Sequence, residues 1–273
     1  YSTVPKRGDF IFYDELVHAS IHDGIRLSFA QFFRFAHNDL NDLKEKISRQ
    51  DTKGKSVFIA VESVYSMDGD FAPLRELADY CKENNFALVV DEAHATGVFG
   101  KEGSGLCDEY EISQYVFARL FTFGKALGTH GAALCGSELL KEYLINFCRP
   151  FIFSTSLPNE SLCSIEAAHQ LCKTTQEREK LLDVIRYFRS KAAAFTNFLD
   201  SSSAVQACII PGNEEVQKVA IQLQSKKMDV RAVKSPTVAK GKERLRISLH
   251  SFNTINDINR LFEELSSSLD LKS

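Results

Sequence analysis

An unbroken apolar run, Phe86-Ala87-Leu88-Val89-Val90, ends abruptly in Asp91-Glu92-Ala93-His94. A strand that is apolar at every position has no solvent face, so it belongs inside a parallel sheet covered by helices on both sides. Val57-Phe58-Ile59-Ala60-Val61 is a second run of this kind. Between the two, Pro73 opens a helical pattern over 74–84, with Leu77, Ala78 and Cys81 on one face. Strand, helix, strand at this spacing makes an α/β fold with a mostly parallel sheet the economical solution.

Ligands gather at the carboxyl ends of such strands, which is where Asp91 and His94 stand. A further predicted strand, over 116–121, delivers Thr122-Phe123-Gly124-Lys125-Ala126, an amine in a turn of small residues. Acid, histidine, hydroxyl and lysine in this order are what a pyridoxal phosphate site needs. The Lys125 amine can condense with the cofactor aldehyde. Asp91 can keep the pyridine nitrogen protonated, because opposite charges ~4 Å apart at an effective dielectric of ~20 gain ~4 kcal/mol, about three pKa units. That proton turns the ring into an electron sink. Taken singly, each residue has a plain structural reading: a strand-end acid, a loop histidine, a solvated lysine. The ordered set carries the assignment.

Four stretches extend the pattern: Val90-Asp91-Glu92-Ala93-His94-Ala95-Thr96-Gly97, Glu62-Ser63-Val64-Tyr65-Ser66-Met67-Asp68-Gly69-Asp70-Phe71-Ala72-Pro73-Leu74, Thr122-Phe123-Gly124-Lys125-Ala126 and Phe153-Ser154-Thr155-Ser156-Leu157-Pro158. Together they resemble the α-oxoamine synthases, fold-type I pyridoxal phosphate enzymes that join an amino acid to an acyl-CoA with loss of carbon dioxide. The resemblance spans nearly the whole chain. Within the family, Gly131-Ala132-Ala133-Leu134-Cys135-Gly136-Ser137 and Leu16-Val17-His18-Ala19-Ser20 look most like the branch that serves biotin synthesis, whose substrates are L-alanine and a pimeloyl thioester.

The resemblance implies the fold of a fold-type I PLP-dependent transferase, a large cofactor-binding domain over 1–173 and a small α+β domain over 174–273. It implies a homodimer with shared active sites, and a segment preceding Tyr1 that carries the phosphate-binding turn. Lys125, His94 and Asp91 become the catalytic set. His18 stacks on the pyridine ring, Ser66 lies near the cofactor, and Thr122 hydrogen-bonds its phosphate. His94 sits near the phenolic oxygen, and Thr155 or Ser154 reaches the phosphate of the neighbouring subunit. Arg244 and Arg246 lie two apart on a predicted strand and share a face. The resemblance selects Arg246 to grip the amino-acid carboxylate with paired hydrogen bonds, and Arg244 competes for that role.

With 33 basic and 36 acidic residues the net charge is −3, so nothing global points to nucleic acid or an anionic membrane. Seven cysteines without a CxxC pair suit reduced thiols in the cytoplasm better than a disulfide frame or a zinc site. No apolar run approaches the ~20 residues of a membrane span, and no signal peptide opens the chain. Asp68-Gly69-Asp70 reads as loop chemistry, with no metal assigned. The basic residues between Lys226 and Arg246 suit a solvated face better than a patch for CoA phosphates. Gly97, Gly100, Gly103 and Gly105 mark a flexible loop that shapes the pocket or a subunit contact.

The remaining pattern predicts helices over 14–23 (carrying His18), 137–148, 177–199, 216–225 and 255–269, with strands over 10–13, 131–135, 204–210 and 244–249. Asn38 or Asp39 caps a helix that starts near Leu40. Three rival readings stay open: a different acyl or amino-acid specificity within the family, a fold-type I aminotransferase, and a non-catalytic subunit that keeps the fold for partner binding.

Overall fold

The computed structural model describes residues 1–268; residue 269, the last of the predicted closing helix, lies outside them. The chain divides into two units, Tyr1–Tyr65 with Phe71–Thr175, and Ser66–Asp70 with Gln176–Ser273.

In chain order the first unit holds β1 (Phe10–Asp14), α1 (Ala19–Arg26), β2 (Gln31–Phe35), α2 (Leu40–Ser48), β3 (Val57–Glu62), α3 (Leu74–Asn84), β4 (Ala87–Asp91) and α4 (Leu106–Glu109). There follow β5 (Ala118–Thr122), β6 (Ala132–Gly136), α5 (Glu138–Phe147), α6 (Arg149–Ile152) and α7 (Asn159–Thr174). The strands form one sheet in the order β2-β1-β3-β4-β5-β6, parallel except where β6 runs against β5. Glu62 pairs with Asp91 and Asp91 with Leu120, so β3 and β4 end level while β5 runs on past Leu120 to Thr122. All six residues of β3 are buried, as an apolar run with no solvent face requires.

Local chemistry sets the element ends. The Asp39 carboxylate accepts the Asn41 and Asp42 amides at 2.9 Å each and caps α2, whereas Asn38 takes a left-handed φ of 54°. Ser137 caps α5 by accepting the Leu140 amide at 3.2 Å. The helix predicted from residue 14 begins instead at Ala19. Asp14 is fully buried at the end of β1, its carboxylate takes the Leu16 amide at 2.8 Å, and a turn intervenes. Strand β2 has no counterpart in the sequence reading. It is an edge strand exposed at three of its five positions, so it lacks the apolar run that marks its neighbours.

The second unit holds α8 (Glu177–Ala192), β7 (Val205–Ile209), α9 (Asn213–Ser225), β8 (Arg231–Val233), β9 (Arg244–Ser248) and α10 (Ile255–Ser268), with an antiparallel sheet in the order β7-β9-β8. Helix α8 stops at Ala192 and not at residue 199. The chain turns there so that Phe195 and Phe198 can pack on Phe262, with ring centroids 5.3 and 5.6 Å apart, and tertiary burial overrides the helical pattern. Strand β8, three residues long, is too short to show alternation. Residues 66–70 follow β3 in sequence yet belong to this unit.

Candidate active site

Strand β4 carries Asp91 at its carboxyl end, where it is 8% exposed. The Ala93 amide donates to its carboxylate at 2.8 Å, and the Ser63 amide and hydroxyl hold its backbone carbonyl at 2.8 and 3.2 Å. Burial pushes the Asp91 carboxyl above its ordinary range, while the Ala93 amide and then the charges of Lys125 and His18 pull it down. Asp91, Lys125 and His18 therefore share one electrostatic neighbourhood. The Tyr1 phenol belongs to it too: burial raises its pKa first, and the Asp91 charge second.

Lys125 is exposed in the turn between β5 and β6. That turn is closed by the Gly128 amide on the Lys125 carbonyl at 3.0 Å and the Thr129 amide on the Phe123 carbonyl at 2.8 Å. Thr122 ends β5, and its Oγ1 is buried with no hydrogen-bond partner among the described residues. An orphaned buried hydroxyl costs about 1–3 kcal/mol, so it marks a place where an acceptor is due. A phosphate oxygen supplies one. An acid, an amine and an unmatched hydroxyl on two adjacent strand ends fit pyridoxal phosphate.

His94 is half-buried in the turn after β4, which is fastened by the Ala95 and Thr96 amides on the Glu92 carbonyl at 2.9 and 2.8 Å. His18 precedes α1 and caps it: its Nδ1 accepts the Ser20 amide at 3.3 Å and meets the Ser20 hydroxyl at 2.9 Å. The ring is held from the helix terminus and stands exposed, not on the flank of a helix as the sequence suggested.

Glu92 is the residue that sequence reasoning passed over. It is 0% exposed, and its carboxylate accepts the Leu106 and Cys107 amides at 3.0 and 2.8 Å and lies 3.4 Å from Arg119 Nη2. Gly105, at φ +99°, has no room for a side chain, because a Cβ would lie 2.7 Å from this carboxylate. The glycine-rich segment is thus built around Glu92, and burial together with the Glu92 charge pushes the Cys107 thiol up. An acid beside Asp91 followed by closely spaced glycines was the available signal.

In the second unit, Ser66 is buried and its carbonyl accepts Arg246 Nε at 2.7 Å. Arg246 Nη1 donates to the Ser248 hydroxyl at 3.0 Å, and partial burial lowers the guanidinium pKa. Arg244, 5% exposed, forms an ion pair with Asp68. Thr155 stands exposed between α6 and α7, and the Ser154 hydroxyl turns back to the Pro150 carbonyl. Among the described residues no group of His, Cys, Asp and Glu is arranged to hold a metal ion, and no helix is long and apolar enough to cross a membrane.

The family described as aminotransferase class I and II matches residues 3–265. An 8-amino-7-oxononanoate synthase of Emericella nidulans is 39% identical over 97% of this chain and 69% of its own length. Among solved structures, an 8-amino-7-oxononanoate synthase of Francisella tularensis superposes with a TM-score of 0.86 at 33% identity, over 99% of this chain and 78% of that one. A serine palmitoyltransferase variant from S. paucimobilis, solved with bound PLP and myriocin, gives a TM-score of 0.92 at 28% identity over 98% of this chain and 68% of that one. The chain spans about two thirds of the length of the curated relatives it matches, and its architecture is that of the fold-type I PLP transferases.

Proposed function

The chain belongs to the aminotransferase class I and II family, and within it we propose an acyltransferase dependent on pyridoxal phosphate. It condenses an amino acid with an acyl-CoA, releasing carbon dioxide and CoA to leave an α-aminoketone. L-alanine and pimeloyl-CoA are the proposed substrates, the activity of an 8-amino-7-oxononanoate synthase. The observation that carries this reading is the buried Asp91 carboxylate sharing its electrostatic neighbourhood with the Lys125 amine at the carboxyl end of parallel strands.

Bound pyridoxal phosphate supplies an aldehyde for amines and an electron sink. Lys125 Nζ would anchor it, and the same amine, when free, would serve as the base for the amino-acid α-proton. Asp91 Oδ would hold the pyridine nitrogen in its protonated form, and a positive partner there would offset the burial that raises the Asp91 pKa. The His18 ring would pack against the cofactor ring, and the Thr122 hydroxyl would donate to its phosphate. Arg246 binds the amino-acid carboxylate, and His94 supplies a proton to the oxygen that becomes anionic when the thioester is attacked.

We assign the functional unit to a homodimer in the cytoplasm. Phe147, Phe151, Phe153 and Leu162 are large apolar residues left exposed on the first unit, which suits a second copy. Thr155, in the same stretch, then serves the neighbour's phosphate. Seven free cysteines suit a reducing compartment.

A serine palmitoyltransferase-type specificity is the second reading, favoured by the higher TM-score of 0.92. CoA release over a panel of amino acids and acyl-CoAs separates the two. The expected result is the highest kcat/KM for L-alanine with pimeloyl-CoA. Preference for L-serine with a long acyl chain transfers the assignment to the second reading, and amino-group transfer to a keto acid without CoA release removes both.

A further inference from the structure

Three consecutive contacts seat residues 66–70 in the second unit. The Ser66 carbonyl accepts Arg246 Nε at 2.7 Å, Asp68 pairs with Arg244, and the Gly69 carbonyl accepts the Ser201 hydroxyl at 2.8 Å. Gly69 takes φ +79°, and a Cβ there would fall 2.0 Å from the Val205 carbonyl, so only glycine brings the segment this close to β7. Arg244 is spent in this position: its Nε also donates to the Lys242 carbonyl at 2.9 Å. Arg246 is held at one edge by the Ser66 carbonyl and at Nη1 by the Ser248 hydroxyl.

A buried ion pair adds little stability over a well-packed apolar pair, and its best-attested use is to select one register among near-equals. Here there is a definite competitor. Arg244 and Arg246 share a face of β9 two residues apart, and either guanidinium could take the Asp68 carboxylate. We infer that the Arg244–Asp68 pair is a latch that fixes the register of residues 66–70 on β9 and so keeps Arg246 open for the substrate carboxylate. Arg244 and Asp68 are then positioning residues, an inference that rests on the role proposed above for Arg246. Without the pair, Asp68 is free to turn to Arg246 and mimic the substrate.

The test uses the full chain loaded with pyridoxal phosphate, as parent, Asp68→Asn and Arg244→Lys. Two quantities are read: amide hydrogen exchange across residues 64–70, and the L-alanine dissociation constant from the absorbance of the bound cofactor, with the KM for pimeloyl-CoA as control. Both variants are expected to speed exchange in the segment about tenfold and to raise the L-alanine constant about tenfold, while the acyl-CoA KM stays within about twofold. Asp68→Glu, which keeps the charge, should restore most of the loss. Exchange and L-alanine binding both within twofold of the parent overturn the inference, and so does faster exchange with unchanged L-alanine binding. A parent that binds no amino acid removes the role of Arg246 instead, and exchange then decides by itself whether the latch exists. Should Asp68→Asn fail to fold, Arg244→Lys, with its charge intact, carries both readings.

Discussion

Glu92 accepts the Cys107 amide at 2.8 Å, while Asp91, its neighbour in the chain, accepts the Ala93 amide at 2.8 Å and feels the charges of Lys125 and His18. Successive residues at a strand end point to opposite faces, so two adjacent acids do different work. Asp91 is the acid proposed for the site, and Glu92 binds the glycine-rich loop.

Glu92→Gln leaves one oxygen to accept and turns an amide N–H toward a backbone donor. The expected cost is about 2–4 kcal/mol of stability, set by an unsatisfied buried donor and a weakened ion pair with Arg119. Urea unfolding should show a lowered midpoint at an unchanged slope. Gly105→Ala should lose at least as much, because its Cβ would meet the Glu92 carboxylate at 2.7 Å at φ +99°.

Asp91→Asn separates stability from catalysis. Burial raises the folded-state pKa of Asp91 above its unfolded value. The native state then holds the proton more tightly, and the resulting stabilisation is present below the unfolded pKa and lost as pH rises through the folded pKa. Once ionised, the acid is therefore a burden on the cofactor-free chain. Asparagine keeps an acceptor for the Ala93 amide and drops the charge. Thermal unfolding of the cofactor-free variant at pH 7 should show a higher Tm than the parent, with the gap closing as pH falls into the carboxylate range. With cofactor, CoA release should fall about a hundredfold or more.

Lys125→Ala should leave the fold intact, because the side chain is exposed. Borohydride reduction should no longer fix cofactor to the chain, and CoA release should drop about a thousandfold or more. Peptide mapping that finds the reduced cofactor on another lysine would refute the assignment.

Thr122→Val removes the buried Oγ1 that has no partner among the described residues, at nearly constant volume. The cofactor-free chain should gain about 1 kcal/mol, and pyridoxal phosphate should bind about tenfold more weakly. Equilibrium unfolding and a cofactor titration check the two halves. A variant that loses stability without losing affinity would show that the hydroxyl serves the fold.

Local pattern was enough for the centre of the molecule. Residues 57–61 read as a buried strand and 86–90 as another, of which 87–90 form the strand with Ala87 and Val89 half-buried; the cap was narrowed to Asn38 or Asp39, and Asp91, His94, Thr122 and Lys125 stood at predicted strand ends because a parallel sheet collects its loops there. Features set by long-range contacts were not legible. The edge strand Gln31–Phe35 forms by pairing with β1, not by its own alternation. Helix α8 gives up residues 193–199 so that two phenylalanines can enter the core. His18 moved from a helix flank to a helix cap once Asp14 claimed the Leu16 amide.

The sequence by itself determined the central strands of the sheet and the identity of the groups at their carboxyl ends, because apolar runs and acid–amine order are properties of neighbours in the chain. Only the tertiary structure decided that Glu92 is a structural anchor, that residues 66–70 join the second unit, and that Arg244 is committed to an ion pair while Arg246 is not. Those outcomes depend on which buried charge finds a partner far away in sequence. Desolvation makes an unpaired choice too costly, and no local pattern encodes the partner.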